Sequence, residues 1–267
     1  MKYYNGKTIL ITGASAGLGK AFAIELAEVA EKLILVARRM PQLEEVAALC
    51  RAVNNKIVIE LATADLNQES DRKQLIDRYA RKSTILINNA GFDHFGDIFK
   101  YDFAIYEKMI ELNVLALTQL THAFGLEMIK RKSGGILNIS SVGMISISPK
   151  SVIYHATKSY VSHFTEGAHH ALKPHGVNCT AFCPGATATD FYKVSGTSVA
   201  VNKLMPAKQA AQLGLAALAR NDKLVFPGLL NNLMYLGSRL VPRSWIPFFF
   251  KLVFSQYLVD KREWDRA

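Results

Sequence analysis

Cysteine is scarce in this sequence, with three residues in a chain of 267. Cys50, Cys179 and Cys183 cannot form a disulfide framework, and a small odd number is typical of a reducing, cytoplasmic compartment. Long apolar runs are also absent, since no uncharged stretch reaches the roughly 20 residues that a membrane-spanning helix needs. The first apolar run is too short for a signal peptide and predicts a buried strand instead. Hydrophobic residues make up 50% of the chain, which excludes a disordered protein.

Acidic residues are outnumbered by basic ones. The chain has 22 Asp and Glu against 32 Lys and Arg, which gives a net charge of +10. This charge favours an anionic partner such as a phosphate-bearing cofactor, a thioester carrier or a membrane surface, and composition does not choose among them. The basic residues are spread along the chain without a nucleic-acid motif, so we expect no nucleic-acid partner.

Short β-branched runs alternate with longer helical patterns along the chain. The predicted strands are residues 7–12, 33–37, 57–62, 85–88, 135–140, 178–183 and 224–226. The predicted helices are residues 18–30, 42–53, 69–79, 103–132, 154–173 and 208–219. Because the strands are apolar on both faces, we expect helices on both sides of one sheet. The sequence therefore predicts an α/β fold, a doubly wound, seven-stranded parallel sheet of Rossmann type in a single domain.

A glycine-rich turn lies between the first predicted strand and the first predicted helix. It contains Gly13, Gly17 and Gly19. Glycine permits a tight turn and lets a pyrophosphate approach bare backbone, while the helix N-terminus offers free N–H donors. Between a strand and a helix such a turn predicts a dinucleotide site, with an ordinary turn as the alternative.

The end of the second predicted strand distinguishes between two dinucleotides. An acidic residue there binds the free ribose hydroxyl of NAD(H), whereas arginine binds the 2′-phosphate of NADP(H). Arg38 and Arg39 follow this strand, and no carboxylate does. We therefore expect NADP(H) rather than NAD(H); the alternative is that both arginines are merely solvated.

Tyr154 and Lys158 lie four residues apart in a predicted helix, so their side chains share one face. A neighbouring cation favours phenolate and is expected to lower the pKa of Tyr154, which would suit it to acid–base work. Ser140 and Ser141, at the end of the fifth predicted strand, offer a hydroxyl for a developing oxyanion. Taken alone, a Tyr–Lys pair at this spacing is frequent on solvated helices.

Six motifs follow one another in a distinctive order. They are Thr12 to Gly19 in TGxxxGxG form, Asn88-Asn89-Ala90-Gly91, Asn113, Ser141, Tyr154-x-x-x-Lys158 and Pro184-Gly185. In this order and spacing they resemble the short-chain dehydrogenase/reductase family, in detail over residues 7–189. The chain also looks similar to a bacterial branch related to β-ketoacyl and steroid reductases.

The resemblance implies a role for each motif residue. Tyr154 would be the catalytic acid/base, Lys158 would bind the nicotinamide ribose and lower the pKa of Tyr154, and Ser141 would orient the carbonyl. Asn113 would hold a water that relays protons from Lys158. The other cofactor-binding residues would be Gly13, Ser15, Gly17, Leu18, Gly19, Arg38, Arg39, Asp65 and Leu66 at the adenine, Asn89, Ala90, Gly91, Pro184, Gly185, and Thr187 and Thr189 at the carboxamide.

Two positions depart from the family's pattern. Thr187 stands where many members have a β-branched aliphatic residue, and Ala16 stands where some NADP-preferring members carry a basic residue. The second departure leaves the 2′-phosphate resting mainly on Arg38, with Arg39 and Ser15 as helpers.

The C-terminal stretch is rich in Leu, Phe, Tyr and Trp and is interrupted by Arg239, Arg243 and Lys251. We expect a Rossmann-type NADP-binding catalytic domain over residues 1–227 and a hydrophobic extension over residues 228–267. The extension is interpreted as a substrate lid or oligomer contact packed on the domain. The alternative is a membrane contact in which Trp245 and residues 248–250 enter the lipid.

Two pairs of side chains of types that can bind metal ions do not predict a metal site. Cys179 and Cys183 share a strand face, and His169 and His170 are adjacent on a helix, but neither pair has further ligands beside it. We therefore expect no metal site. His94 is interpreted as a residue at the border of the substrate pocket or as an ordinary loop residue.

The resemblance implies an NADP(H)-dependent oxidoreductase that interconverts a carbonyl and a secondary alcohol. The apolar character of Phe191, Tyr192, Leu204 and residues 229–254 predicts a hydrophobic or acyl-type small molecule. The predicted helices 103–132 and 154–173 carry surplus apolar surface, and the family commonly pairs them, so a homodimer or homotetramer is expected. The alternative is a non-catalytic NADP-binding scaffold or a peripheral-membrane interaction protein.

Overall fold

A seven-stranded parallel sheet forms the centre of the protein. The computed structural model describes residues 1–189, 191–196 and 204–254. The strands of this part are β1 (Thr8–Thr12), β2 (Lys32–Ala37), β3 (Val58–Thr63), β4 (Ile85–Asn88), β5 (Gly134–Ile139), β6 (Val177–Phe182), β7 (Thr187–Ala188), β8 (Met205–Pro206) and β9 (Leu224–Val225). The main sheet has the order β3-β2-β1-β4-β5-β6-β9, and each neighbouring pair is parallel. The predicted α/β fold and seven-stranded parallel sheet are confirmed.

Helices cover both faces of the sheet. The helices of the described residues are α1 (Gly17–Ala27), α2 (Met40–Val53), α3 (Glu69–Tyr79), α4 (Phe103–Ile110), α5 (Leu117–Arg131), α6 (Val152–Leu172), α7 (Phe191–Ser195), α8 (Ala207–Arg220), α9 (Leu229–Ser238) and α10 (Ile246–Phe254). Buried side chains of α1, α2 and α8 form one core with Ile9 and Ile11 of β1. Side chains of α3, α5 and α6 form a second core with Leu10. Alternate residues of one strand therefore enter opposite cores, which explains why the strands are apolar on both faces.

The predicted helix over residues 103–132 is wrong as a single α-helix. A π-helical turn over Glu111–Ala116 separates α4 from α5. The spacing of apolar residues did not reveal this turn, which is one of the short π-helical insertions that occur inside α-helices, frequently at functional sites. The other predicted strand and helix ends differ from the observed ones by up to three residues, and the small β7–β8 sheet was not predicted.

A buried arginine of α3 contacts the loop after β3, the π-helical turn and α5 at once. Arg72 of α3 has 3% of its side chain exposed, and its Nη1 lies 2.6 Å from Glu111 Oε1. The same nitrogen donates a hydrogen bond to Leu66 O at 2.7 Å, and Nε donates to Gln119 Oε1 at 2.8 Å. One guanidinium therefore holds the loop after β3, the π-helical turn and α5 together.

The C-terminal extension, predicted over residues 228–267, is described as far as residue 254. It consists of α9, a short 3₁₀ turn over Arg243–Trp245, and α10. Residues 255–267 and the side chain of Phe250 lie outside the described residues. In the part of the chain that is described, helices with the length and apolar character to span a bilayer are absent.

We predict that Arg72→Met lowers the free energy of unfolding by about 2–3 kcal/mol, because Glu111, Gln119 and a buried carbonyl lose their donor. Arg78 of the same helix provides a matched control, since its side chain is 62% exposed and pairs with Glu60 at the surface. Arg78→Met should cost less than about 1 kcal/mol. Urea denaturation measures both values. Equal losses would show that the buried arginine has no special part in holding these elements.

Candidate active site

One cavity of about 550 Å³ opens at the carboxyl edge of the main sheet. The strand order reverses between β1 and β4, and an open parallel sheet has its ligand crevice beside such a reversal. The walls of the cavity come from the segments that directly follow β1, β2, β3, β4, β5 and β6. Residues far apart in the sequence therefore meet there.

The glycine-rich turn forms one end of this cavity, and its glycines are required by the backbone. Gly13 and Gly17 have φ angles of +64° and +53°. A Cβ on Gly19 would lie 2.3 Å from Gly13 O, and a Cβ on Gly13 would lie 2.9 Å from Ala90 Cα. The turn is thus packed so tightly against the loop after β4 that larger residues do not fit.

The N-terminus of α1 faces the same end of the cavity. Ala16 is the N-cap residue and supplies no side-chain acceptor, and the first turn holds no acidic residue. Backbone N–H groups of the first turn therefore have no side-chain partner from the cap, and Gly17 and Leu18 line the cavity. Free donors and the positive end of a helix dipole suit a phosphate group. The residues present fit a dinucleotide here.

The residues assigned to the adenosine half lie at the ends of β2 and β3. Arg38 and Arg39 are exposed and line the cavity rim, as do Asp65 and Leu66. Asp65 is held in place because its Oδ1 accepts a hydrogen bond from Asn67 N at 3.1 Å. Two arginines without a carboxylate from β2 beside them form an electropositive rim.

The other residues assigned to the cofactor lie after β1, β4 and β6, and Thr187 and Thr189 are those assigned to the nicotinamide carboxamide. Ser15, Asn89, Ala90, Gly91, Pro184, Gly185, Thr187 and Thr189 all line the cavity. Gly19 does not line it, and its small size serves the turn itself. Thr187 Oγ1 donates a hydrogen bond to Gly185 O at 2.9 Å, which orders the loop after β6.

Ser141, Tyr154 and Lys158 lie together on the wall between β5 and α6. Lys158 Nζ lies 5.6 Å from the centroid of the Tyr154 ring and donates a hydrogen bond to Ile139 O at 2.8 Å. Ser141 begins a short 3₁₀ turn, and its Oγ accepts a hydrogen bond from Gly143 N at 3.0 Å. Ser140 also lines the cavity, but its Oγ is already engaged, since it donates a hydrogen bond to Lys158 O at 2.8 Å. The preference for Ser141 over Ser140 stays a prediction.

The expected fall in the pKa of Tyr154 is not what this structure shows. Burial raises the pKa of Tyr154 well above its usual range, the charge of Asp93 raises it further, and a hydrogen bond with Ser141 acts in the opposite direction. Burial also lowers the pKa of Lys158 to about 8, so this lysine loses its positive charge at a lower pH than an exposed lysine does. Spacing reveals the neighbouring ammonium but not the desolvation that opposes it.

Asn113 occupies the π-helical turn and is buried beside the cavity but does not line it. Its Nδ2 donates to Phe92 O at 3.0 Å and to Thr157 Oγ1 at 3.2 Å, and its Oδ1 accepts from Phe92 N at 3.1 Å. Asn113 therefore joins the loop after β4 to the helix that carries Tyr154 and Lys158. Its expected role in holding a water stays a prediction.

Sequence analysis missed Asp93, which lines the cavity two residues after Gly91. Its Oδ2 accepts a hydrogen bond from Ser151 Oγ at 3.1 Å, whereas its buried Oδ1 accepts none from the residues that the structure describes. Burial raises the pKa of Asp93 to about 7, against the opposing effects of Ser151, the His94 backbone and Lys158. An acidic residue in the loop after a central strand, five positions beyond the end of β4, was the signal that could have revealed it.

The residues set aside during sequence analysis do not line the cavity. The His94 ring packs edge-on against Tyr101 with ring centroids 4.3 Å apart, which favours the ordinary loop residue of the two interpretations. His169 Nδ1 hydrogen-bonds to Cys179 O at 2.8 Å, and Cys183 Sγ lies 3.6 Å from Ser162 Oγ. These are contacts of a packed interior.

Comparison with known proteins points in one direction. A family model described as short chain dehydrogenase matches residues 7–199. Estradiol 17-beta-dehydrogenase 11 of Macaca fascicularis is 32% identical over 214 residues, which cover 75% of this chain and 71% of that protein. The ketoacyl reductase HetN of Nostoc is 32% identical over 186 residues, 69% of this chain and 65% of that protein.

A solved structure is also similar. A short-chain dehydrogenase from Sphingobium yanoikuyae, in complex with NADPH, has a TM-score of 0.80 and 31% sequence identity. The likeness covers 88% of this chain and 94% of that one. The fold is therefore shared over most of the length of both chains.

We predict that Asp93→Asn shifts the pH dependence of alcohol oxidation, the activity that the resemblance implies, to lower pH. A negative Asp93 raises the pKa of Tyr154, and oxidation needs the phenolate as proton acceptor. Removing that charge lets Tyr154 ionise at lower pH, so the acidic limb of the kcat/KM profile moves toward acid. Asp97→Asn, in the same loop, removes an equal charge and should leave the profile in place. Identical profiles for wild type and Asp93→Asn would contradict an electrostatic influence of Asp93 on Tyr154.

Proposed function

The chain belongs to the short-chain dehydrogenase family and is an oxidoreductase that acts on the alcohol–carbonyl couple, and we propose that it uses NADP(H) to interconvert a hydrophobic ketone and its secondary alcohol. One observation carries this proposal. Ser141, Tyr154 and Lys158 line the same cavity as the glycine-rich turn and Arg38. A cofactor bound along the carboxyl edge would thus extend from the arginine rim to the tyrosine.

The proposed chemistry divides the work between the cofactor and the side chains. When bound, NADP(H) supplies or accepts the hydride at the reacting carbon. Tyr154 Oη donates a proton to the carbonyl oxygen in reduction and accepts one from the alcohol in oxidation. Ser141 Oγ donates a hydrogen bond to the same oxygen, which stabilises its developing negative charge. Lys158 lies one helical turn from Tyr154, where its ammonium can bind ribose hydroxyls and favour the phenolate.

The preference for NADP(H) rests on the rim after β2. Arg38 and Arg39 line the cavity there, and a guanidinium binds phosphate by paired, charge-assisted hydrogen bonds. The net charge of +10 adds a general attraction for a cofactor with one more phosphate.

The hydrophobic substrate is proposed from the part of the wall next to Tyr154. Phe92, Phe95, Phe191, Tyr192 and Met234 line the cavity, and the rings of Phe191 and Tyr154 lie 5.5 Å apart. Apolar walls with a few convergent polar groups select apolar ligands. The names of two relatives mention estradiol and a ketoacyl group, and both are apolar enough to be compatible with such walls.

The proposed division of the chain follows the same geometry. We assign residues 1–227 to the catalytic domain and residues 228–267 to an extension that packs on it, because Asn231 and Met234 of α9 line the cavity.

Members of the family form oligomers. Three large side chains are exposed along the helices that we expect to pair: Leu115 in the π-helical turn, Leu126 in α5 and Tyr160 in α6. We propose a homodimer or homotetramer through these helices, which light scattering of the intact chain would detect.

We predict that Tyr154→Phe lowers kcat for NADPH-dependent ketone reduction at least about 100-fold, because the proton donor is lost. Tyr160→Phe is the control, since Tyr160 lies on the same helix with its hydroxyl 3.0 Å from Thr118 Oγ1, away from the cavity. It should retain full activity. NADPH oxidation is followed with a panel of aldehydes, ketones and acyl thioesters. If the wild type is not faster than Tyr154→Phe with any substrate of the panel, the non-catalytic scaffold becomes the better interpretation.

We predict that Arg38→Gln raises the KM for NADPH at least about 10-fold, because a charge-assisted hydrogen bond to phosphate is lost. The KM for NADH should change less than about twofold. Arg39→Gln removes the same charge from the neighbouring position and should have the smaller effect on NADPH. Steady-state kinetics with both cofactors measures the selectivity. Equal changes for NADPH and NADH in Arg38→Gln would contradict the assignment of the 2′-phosphate to Arg38.

A further inference from the structure

Helix α9 exposes an apolar stripe instead of burying it. Leu229, Leu233, Leu236 and Leu240 recur at intervals of three and four residues along α9 and its end, so they share one face. Each of these side chains is more than half exposed, and Leu240 reaches 86%. A helix of a globular protein ordinarily turns such a stripe toward the core.

The opposite face of α9 fixes the helix to the body of the protein. Tyr235 stacks on Phe226 with ring centroids 4.5 Å apart. Asn231 Nδ2 donates a hydrogen bond to Pro227 O at 2.6 Å, and Asn232 Nδ2 donates to Phe226 O at 2.6 Å. The outward direction of the leucines is therefore set by specific contacts on the inner face.

The segment after α9 repeats the pattern. Trp245, Phe248, Phe249 and Leu252 follow at intervals of three, one and three residues, as on one face of a helix, and are exposed by 43–69%. Two elements that follow one another in the chain thus present apolar side chains to solvent. We call the eight residues of the two stripes the C-terminal apolar face. Exposed apolar clusters of this kind are typical of contact sites.

The stretch of sequence that carries this face has charges of one sign. Residues 223–259 contain no Asp or Glu, their charged residues are Lys223, Arg239, Arg243 and Lys251, and Asp222 and Asp260 flank the stretch. Arg239 and Arg243 are exposed; Arg239 directly precedes Leu240, the last residue of the first stripe, and Arg243 lies two residues before Trp245, the first of the second. The whole chain carries a net charge of +10. The partner that complements this face is apolar inside and negative at its surface.

We propose that the C-terminal apolar face docks on the surface of an anionic lipid bilayer, with its Leu, Trp and Phe side chains among the acyl chains and its arginines at the headgroups. Leucine, phenylalanine and tryptophan beside arginine suit that interface. A second copy of the chain fits less well. Two-fold self-contact would place the face of one copy, which lacks acidic residues, against the same basic residues of the other.

Docking in this orientation would place the cavity next to the membrane, because α9 forms part of its wall through Asn231 and Met234. This consequence rests on the proposed hydrophobic substrate, which would then enter from the lipid. The docking itself is independent of turnover, so a binding experiment tests it whether or not the proposed reaction is correct.

Co-sedimentation of the full-length protein with vesicles tests the proposal. We expect binding to phosphatidylglycerol vesicles and at least 10-fold weaker binding to phosphatidylcholine vesicles. Leu233→Ser/Leu236→Ser/Leu240→Ser should lower the partition coefficient by on the order of 100-fold, through lost apolar burial. Arg239→Gln/Arg243→Gln should lower it about 30-fold on anionic vesicles.

Matched controls separate this face from general stickiness and charge. Val53→Ser/Val58→Ser removes two exposed apolar side chains far from α9 in the sequence, Val53 at the end of α2 and Val58 at the start of the edge strand β3, which are 50% and 52% exposed. Arg51→Gln/Arg81→Gln removes two exposed charges elsewhere. Both controls should bind vesicles like the wild type, and circular dichroism melting verifies that every variant is folded.

Tryptophan fluorescence locates the contact. The chain has two tryptophans, so Trp264→Phe leaves Trp245 as the reporter, and brominated lipids should quench it. The proposal is overturned if the protein ignores anionic vesicles, if the leucine variant binds as well as the wild type, or if Trp245 is not quenched. Loss of a dimer in the leucine variant, without vesicle binding by the wild type, would assign the face to a second copy instead.

Discussion

The hydrogen bonds of Asn113 hold the candidate site together. A single buried amide binds the N–H and the carbonyl of Phe92 and also contacts Thr157. These contacts join the loop after β4, the π-helical turn and α6. The loop carries Gly91 and Asp93, while α6 carries Tyr154 and Lys158. If the turn were a regular α-helix, this amide would point elsewhere and the two walls of the cavity would lose their common support.

Burial is the second constraint, and it works against the charges that the chemistry needs. Tyr154, Lys158 and Asp93 all line a largely apolar region. Desolvation raises the pKa of Tyr154 and of Asp93 and lowers that of Lys158, so it favours the neutral form of each. Such shifts are frequent where acid–base groups work in enclosed sites. Ser141 and the carbonyl of Ile139 give the hydroxyl and the ammonium their polar contacts. The protonation state of the site is thus set by the whole cavity and not by one pair of residues.

Helix α9 connects the cavity with the outer surface. Its inner side contributes Asn231 and Met234 to the wall, and its outer side presents the leucine stripe. Both directions follow from the same contacts, chiefly the stacking of Tyr235 on Phe226. In this arrangement, substrate access and the proposed lipid contact depend on a single element of the C-terminal extension.

The sequence alone was sufficient for the family and the parallel sheet. Strands that are apolar on both faces and each of the six motifs are local features, because a short stretch of sequence is enough to recognise them. Most of the assigned site residues could also be found this way, and the structure gathers them around one cavity, although their individual roles stay predictions. Asp93 was missed although its place in the loop after β4 was visible, because its burial was not. The π-helical turn at Asn113 and the direction of the pKa shift of Tyr154 could not be found. Each of these depends on burial and on partners distant in the chain, and only tertiary packing decides how much water a group loses and which neighbours replace it.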